Sequence, residues 1–136
     1  MNICVINKTH HTPEGIQETG IFSINIPSRA LVKQTDYCGL VSGKNVDKST
    51  VFTVFYGKPL IQESRVNLEC TLVQTVDLPT NYLFIGEIVQ AYIDPHCIVE
   101  ERPDFRKIDP LILTMPDNRY WSLGASAGKA WNIGKK

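Results

Sequence analysis

Two polar segments of the sequence hold the side chains that could bind a ligand. Residues 7–12 place a lysine, two threonines and a pair of histidines directly after a short apolar run. Residues 36–48 combine two glycines with hydroxyl, lysine and aspartate side chains. Glycine lets the backbone approach another group closely, and hydroxyl and ammonium groups donate hydrogen bonds at such an approach. Both segments therefore suit an anionic or polar ligand.

The second segment also has a more ordinary interpretation. Ser42 and Lys44 flank Gly43, which is the arrangement expected where a backbone approaches a ligand. A loop at the end of a helix has the same composition, with Gly39 and Gly43 ending turns and the charged side chains in solvent. Residue types alone favour the ordinary loop.

The composition limits the class of protein before any motif is considered. A chain of 136 residues with 43% hydrophobic residues has the size and the core of a single domain. Its 14 basic and 14 acidic side chains cancel, so no broad field would attract nucleic acid or an anionic membrane. No apolar run approaches the roughly 20 residues of a membrane span, and the amino terminus lacks a signal-peptide pattern. We expect a cytoplasmic protein without a nucleic-acid or membrane partner.

The cysteines do not form a metal-binding or redox pattern. Cys4, Cys38, Cys70 and Cys97 are scattered, with no Cys-x-x-Cys pair. Zinc sites and redox dithiols use closely spaced cysteines. We predict reduced thiols that are mostly buried, and no metal site.

The first half of the chain predicts two strands. The β-branched and apolar run within residues 2–7 shows no alternation, which predicts a strand covered on both faces. Such a strand belongs between neighbours, so either later strands flank it or strands are missing. Residues 21–26 alternate between apolar and polar from Phe22 onward, which predicts a second strand that ends at Pro27.

Capping residues mark a short helix between these strands. Thr12 suits the N-cap position, and Pro13 suits the first helical position. Glu14 suits the positive end of the helix dipole. A helix is therefore predicted over about residues 13–19, with Gly20 ending it.

A second helix is predicted after Pro27. Ser28 can cap it, and its apolar positions include Ala30, Leu31 and Val32. This helix should close near Gly39, where the second polar segment begins.

The second half of the chain predicts a hairpin of two long strands, because its apolar side chains recur with a period of two. The apolar face holds Val66, Leu68, Cys70 and Leu72, and the wet face holds Arg65, Asn67, Glu69 and Thr71. The phase slips at Val73, which predicts a bulge, and a turn at residues 77–81 leads into a strand over residues 82–93. Gly86 could mark a barrel bend. Together the elements predict a mainly β fold with short helices, a small antiparallel barrel.

Several blocks of the sequence carry a family resemblance. They are Asn7-Lys8-Thr9-His10-His11-Thr12, Phe22-Ser23-Ile24-Asn25-Ile26-Pro27, residues 36–48, Val66-Asn67-Leu68-Glu69-Cys70, Leu83-Phe84-Ile85-Gly86-Glu87-Ile88, Asn118-Arg119-Tyr120-Trp121 and residues 128–135. In this order they resemble the flavin reductase-like, FMN-binding split-barrel family, and within it the flavoredoxin branch. A single Ser-Gly-Lys would be weak evidence for the family, whereas several blocks in this order and at suitable spacing are specific evidence. The resemblance covers essentially the whole chain.

The resemblance implies an FMN cofactor, held in a cleft near the subunit interface of a homodimer. The residues implied to lie by the flavin phosphate are Asn7, Lys8, Thr9, His11 and Thr12. A phosphate is stabilised by hydroxyl and cationic donors at the positive end of a helix, which agrees with that placement. The alternative is that Thr12 only caps the helix and that the histidines are solvated. His10 and His11 should point different ways, so only one should face the ligand.

The resemblance also implies contacts to the isoalloxazine ring. The residues implied there are Ser42, Gly43 and Lys44. A lysine at the N1, O2 or O4 edge of the ring would stabilise negative charge on the reduced flavin. The alternative for Lys44 is a surface ion pair with Asp36 or Asp47. Asp47 and Lys48 are expected to organise the loop, and Asn118 and Arg119 could close the cleft or reach across the dimer.

The family pattern usually begins with strands that precede the position of Met1. We therefore expect a split barrel incomplete at its N-terminus, within a single domain over residues 1–136. The chain is also shorter than the pattern near residues 57–60, which we interpret as a trimmed loop.

The function implied by the resemblance is NAD(P)H:flavin reduction or flavin-mediated electron transfer to an acceptor protein, which would make the chain a flavin-dependent oxidoreductase. No catalytic residue is assigned. One alternative is an FMN-binding electron-transfer module without NAD(P)H activity, since no GxGxxG motif is present. The other is a truncated relic that no longer binds flavin.

Overall fold

The computed structural model describes residues 1–55 and 59–135. In chain order its elements are β1 (Asn2–Asn7), α1 (Thr12–Thr19), β2 (Ile21–Ile26), a 3₁₀ turn (Arg29–Leu31), α2 (Val32–Leu40), β3 (Val54–Phe55), β4 (Leu60–Ile61), β5 (Val66–Asp77), β6 (Asn81–Ile93), a second 3₁₀ turn (Pro95–Cys97), β7 (Ile98–Val99), β8 (Arg102–Pro103), α3 (Phe105–Ile108), β9 (Ile112–Thr114) and β10 (Arg119–Trp121). Four strands form one antiparallel sheet in the order β1-β6-β5-β2. Strands β3 and β4, β7 and β8, and β9 and β10 form separate two-stranded pairs. The trimmed loop is predicted at residues 57–60, of which 57 and 58 lie outside the described residues.

Strands β5 and β6 form the predicted hairpin, which lies at the centre of the sheet. Its register passes from Leu72 opposite Gly86 to Gln74 opposite Ile85, which leaves Val73 as the extra residue of a bulge. The predicted bulge at Val73 is therefore confirmed. A second register shift, between Glu69 and Cys70, was not predicted from the sequence. Bulges of this kind bend a strand and increase its twist, which curls the sheet.

The core lies between the concave face of this sheet and α1. Its buried members are Ile16 from the helix and Phe22, Cys70 and Phe84 from the sheet. Gly86 has a packing role here, because a Cβ atom on it would lie 2.4 Å from Cζ of Phe22. Only glycine at position 86 leaves room for the Phe22 ring to pack against strand β6. Gly86 pairs with Leu72, next to the bulge at Val73 that bends strand β5.

Strand β1 lies at the edge of the sheet, which corrects the prediction of a strand covered on both faces. Within residues 1–55 and 59–135, its sheet partner is β6 alone. Cys4 and Ile6 pack against the core, whereas Ile3 and Val5 are 58% and 59% exposed. The period of two in a strand sends alternate side chains to opposite faces, so an unbroken apolar run exposes half of its members here.

The face of β5 that was predicted to be exposed to solvent contains one buried residue. Asn67 is 4% exposed, and its Nδ2 donates a hydrogen bond to the carbonyl oxygen of Ser64, 3.1 Å away. The predicted exposure of Asn67 is therefore wrong. The chain that leads into β5 lies against this side chain, a contact that a period of two does not reveal.

Helix α1 begins one residue earlier than predicted. His11 is the N-cap, Thr12 is already helical, and no side chain caps the helix. The His11 carbonyl accepts a hydrogen bond from the Glu14 amide at 3.2 Å, which starts the helical pattern before Thr12. The prediction of Thr12 as N-cap is therefore wrong. Gly20, with a φ of 68°, ends the helix as predicted.

The second helix also differs from its prediction. The Ser28 hydroxyl makes no capping bond, and a 3₁₀ turn precedes α2. The helix continues through Gly39 to Leu40, since the Val41 amide still donates to the Tyr37 carbonyl at 3.2 Å. Residues 36–40 are therefore helical, and the polar loop begins at Val41. None of the helices in the described part of the chain has the length and apolarity needed to cross a membrane.

The four cysteines are free thiols. Cys70 and Cys97 are buried, and Cys4 and Cys38 are half-buried. Burial raises the pKa of the Cys4 thiol and is the main cause of the raised pKa of Cys70. Cys4 and Cys70 also pack in the hydrophobic core, so these two thiols act as apolar packing groups.

Candidate functional site

The turn between β1 and α1 is organised by its own side chains. The Oδ1 atom of Asn7 accepts hydrogen bonds from the amide and the hydroxyl of Thr9, at 2.9 and 2.8 Å. The Lys8 amide donates to the Thr80 carbonyl at 3.1 Å, which ties the turn to the β5–β6 hairpin. Asn7 and Thr9 therefore shape the turn that delivers His11 and the first turn of α1.

The Lys8 side chain is directed to the hairpin rather than to the start of α1. Its ammonium forms an ion pair with the Asp77 carboxylate. It also lies 4.9 Å from the centre of the Tyr82 ring, which is a cation–π distance. Lys8 would have to leave both partners to reach a ligand at His11.

The loop after α2 is held by local hydrogen bonds. The Ser42 hydroxyl oxygen accepts from the Lys44 amide at 3.2 Å. The Lys48 ammonium donates to the Cys38 carbonyl at 2.6 Å, where a cation complements the negative end of the helix dipole. Asp47 accepts from the Ser49 amide at 2.8 Å. These contacts agree with the expectation that Asp47 and Lys48 organise the loop.

Gly43 brings this loop against the turn after β1. A Cβ atom on Gly43 would lie 3.2 Å from Cδ2 and 3.4 Å from Cβ of His11. Such contacts are tighter than ordinary van der Waals contacts, so a larger residue would push the imidazole away. The close approach expected of a glycine therefore occurs at Gly43, and its neighbour is His11.

Glu14 joins the two segments by its carboxylate. Its Oε2 atom lies 2.9 Å from Nδ1 of His11, and its Oε1 atom lies 3.1 Å from the Lys44 ammonium. The alternative predicted for Lys44, an ion pair with Asp36 or Asp47, is not the pair observed. Asp36 instead accepts a hydrogen bond from the Tyr120 hydroxyl at 3.3 Å. Lys44 is thus held at the start of α1.

The electrostatic surroundings of Glu14 predict a pH dependence. Lys44, and to a smaller degree His11, lower the pKa of the Glu14 carboxyl below its ordinary value of 4.5. A carboxyl whose pKa is lower in the folded chain stabilises the fold above its unfolded pKa, and loses this contribution as the pH falls through the folded value. We expect wild type to be slightly more stable than Glu14→Gln near neutral pH. Thermal melts of both proteins should converge below pH 4.5, and a constant difference down to pH 2 would contradict this origin.

A polar cleft of about 620 Å³ lies where these segments meet. His10, His11 and Thr12 form one wall, and residues 38–43 and 46–48 form the other. Both histidines line this cleft, and the expectation that only one of them faces the ligand stays a prediction. The turn at His11 brings both histidines to the cleft because the chain passes there from an irregular turn into α1.

An apolar cavity of about 700 Å³ adjoins the polar cleft, and His11 and Thr12 line both. Its apolar lining includes Ile6, Ile16 and Phe22. Both volumes fall in the range of roughly 300–1,000 Å³ that ligand sites occupy. Apolar walls beside hydroxyl and imidazole donors suit a flat aromatic ligand that carries an anionic group.

The structure brings together part of the predicted residue set. His11, Thr12, Ser42 and Gly43 line the polar cleft. Lys44 lines neither cavity, and it is joined to His11 through the Glu14 carboxylate. Asn7, Lys8 and Thr9 are not among the lining residues of either cavity. They are structural members of the turn.

Sequence reasoning missed Glu14, which joins His11 to Lys44, and two polar residues that line the apolar cavity. Glu14 was assigned only to the helix dipole, although its spacing of three from His11 places both on one helix face. Ser23 and Asn25 line the apolar cavity, and Asn25 Nδ2 donates to the Ser23 oxygen at 2.9 Å. Their signal was the polar alternation of β2, which puts both on one face of the strand.

Comparison with known proteins identifies the fold and the family. The curled antiparallel sheet with short helices defines the chain as a split-barrel protein. The family model described as "Flavin reductase like domain" matches residues 1–116. The chain therefore belongs to the flavin reductase-like family, which supports a flavin as cofactor and a redox role in general.

Solved structures agree with this assignment. Flavoredoxin from Methanosarcina acetivorans is 53% identical, with a TM-score of 0.94 over 98% of this chain and 74% of that one. Flavoredoxin of Desulfovibrio vulgaris (Miyazaki F) is 31% identical, with a TM-score of 0.86 over 98% of this chain and 76% of that one. The predicted resemblance to the flavoredoxin branch is confirmed.

Curated relatives are longer than this chain. The uncharacterised protein YddH of Escherichia coli is 32% identical over 109 residues, which is 74% of this chain and 58% of YddH. The chain thus spans just over half the length of the curated relatives it matches.

Proposed function

We propose that the chain binds FMN and acts as a flavin reductase-like or flavoredoxin-like redox protein. One observation carries the proposal: two polar segments that are distant in the sequence converge, with the Gly43 backbone against the His11 imidazole, 32 positions away. The family assignment supplies the flavin, and the polar cleft with its apolar neighbour supplies suitable chemistry. FMN, with its phosphate, fits this combination better than a flavin without an anionic tail.

The residues of the cleft would hold the cofactor by its two ends. His11 and the hydroxyl of Thr12, at the first turn of α1, would bind the phosphate. Lys44 would lie at the polar edge of the isoalloxazine ring and stabilise negative charge there. Bound FMN would supply the hydride and electron chemistry, while the protein orients the ring and tunes its reduced state.

The electron donor and the assembly belong to the same proposal. We propose NAD(P)H as donor, an acceptor protein as partner, a homodimer as the assembly and the cytoplasm as location. The exposed apolar side chains of Ile3 and Val5 support self-association, because exposed apolar patches mark interaction surfaces. Without NAD(P)H activity, the chain would be an FMN-binding electron-transfer module.

Titration of the purified chain with FMN tests the cofactor assignment. We expect quenching of flavin fluorescence to saturate, and a rise in melting temperature with FMN concentration. Absence of both effects at saturating FMN would refute flavin binding. NAD(P)H oxidation, followed with and without free FMN, then separates a reductase from an electron-transfer module, and light scattering of the same samples measures the assembly.

A further inference from the structure

The carboxylate of Glu14 occupies a position that an anionic ligand would also favour. It lies 3.1 Å from the Lys44 ammonium and 2.9 Å from Nδ1 of the His11 imidazole. These are the two side chains proposed for the ring edge and the phosphate. One carboxylate of the chain therefore contacts both groups that would recognise FMN.

We propose that the Glu14 carboxylate, which pairs with the Lys44 ammonium and contacts Nδ1 of His11, is the group that the anionic FMN displaces on binding. This inference rests on the proposed flavin function and adds a residue that controls its affinity. Glu14 is a positioning residue, because it acts on the ligand through Lys44 and His11.

The charges around Glu14 support an exchange of partners. Its side chain and that of Lys44 are 57% and 44% exposed, so both can turn without disturbing the core. An exposed ion pair is weak, whereas a phosphate carries more charge and more acceptor oxygens than a carboxylate. The Lys44 ammonium lowers the pKa of the Glu14 carboxyl, which favours its ionised form. Binding of FMN must therefore break this pair or tolerate a third charge beside it.

The exchange has a measurable consequence for affinity. In Glu14→Gln the pair with Lys44 is absent, so FMN has no anion to displace. We expect this variant to bind FMN roughly two- to fivefold more tightly than wild type, which is the scale of an exposed ion pair. Riboflavin lacks the phosphate, so we expect Glu14→Gln to increase the affinity for riboflavin less than the affinity for FMN.

Matched variants separate the proposed exchange from general charge repulsion. Glu18→Gln removes a negative charge one turn further along the same helix and is expected to leave FMN affinity unchanged. In a Lys44→Met background, the gain from Glu14→Gln should shrink, because its partner is gone. An equal gain in both backgrounds, an equal gain from Glu18→Gln, or no gain at all would overturn the proposal.

A measurement without flavin distinguishes failure of this inference from failure of the proposed function. The Glu14 carboxyl is titrated by NMR in wild type and in Lys44→Met, where loss of the ammonium should raise its pKa. No change in that pKa would overturn the counter-ion role itself. A wild type that takes up no FMN would refute the proposed function and the displacement together, whereas FMN binding that Glu14→Gln does not tighten would refute the displacement alone.

Discussion

Replacing Gly86 with alanine is expected to lower the free energy of unfolding by about 2–3 kcal/mol. The new Cβ atom would lie 2.4 Å from Cζ of Phe22 and 3.2 Å from Cβ of Cys70. Phe22 is 6% exposed and Cys70 is fully buried, so the ring has no free space to enter. Because Phe22 pairs β2 with β5, its displacement strains the core. Denaturant unfolding followed by circular dichroism measures the loss.

Gly15 offers the matched control. It lies within α1, and an added Cβ atom would meet nothing within 4 Å. Alanine there is expected to stabilise the chain by about 0.5–1 kcal/mol, because glycine is a poor helix former. If the two substitutions changed stability equally, steric crowding at Gly86 would be excluded as the cause.

Replacing Lys44 with alanine is expected to weaken FMN binding by about fivefold, which corresponds to roughly 1 kcal/mol. It should also make the midpoint potential of the bound flavin more negative. The reason is that an ammonium at the polar edge of the ring stabilises the reduced, negatively charged form. Fluorescence titration gives the affinity, and equilibration with a reference dye gives the potential.

Lys33→Ala is the control for this change. Lys33 is an exposed lysine of α2, and the ammonium paired with Glu14 is that of Lys44, so loss of Lys33 removes the same net charge without removing the proposed contact. We expect its affinity and potential to match wild type. If Lys44→Ala also had the FMN affinity and the midpoint potential of wild type, Lys44 would be a surface residue that pairs with Glu14 and does not contact the flavin.

The four strands of the main sheet were predictable because their signals are local, whereas the six short strands that the structure describes outside it were not predicted. Strands β1 and β2 have the predicted bounds, and the slip of apolar phase at Val73 marks the bulge. A side-chain period of two is fixed by strand geometry alone. The position of β1 at the sheet edge was not predictable in this way, since it depends on which strand pairs with β6.

Residues of the candidate site could be predicted only where the residue type was enough to identify them. His11, Thr12, Ser42 and Gly43 could be chosen by donor chemistry and by family resemblance. The pairing of Lys44 with Glu14 could not, because it joins residues 30 positions apart that only the fold brings together. Thr12 failed as a cap for a similar reason, since the first helical hydrogen bond is set by the path of the turn before it.

His11 and Thr12 line both the polar cleft and the apolar cavity, and this shared lining has a thermodynamic consequence. A molecule that shifts either residue from one side alters the shape offered to a molecule on the other side. By linkage, the factor by which the first changes the affinity of the second equals the factor by which the second changes that of the first. If both cavities are occupied, the first ligand would therefore strengthen or weaken binding of the second by the same factor, whichever ligand binds first.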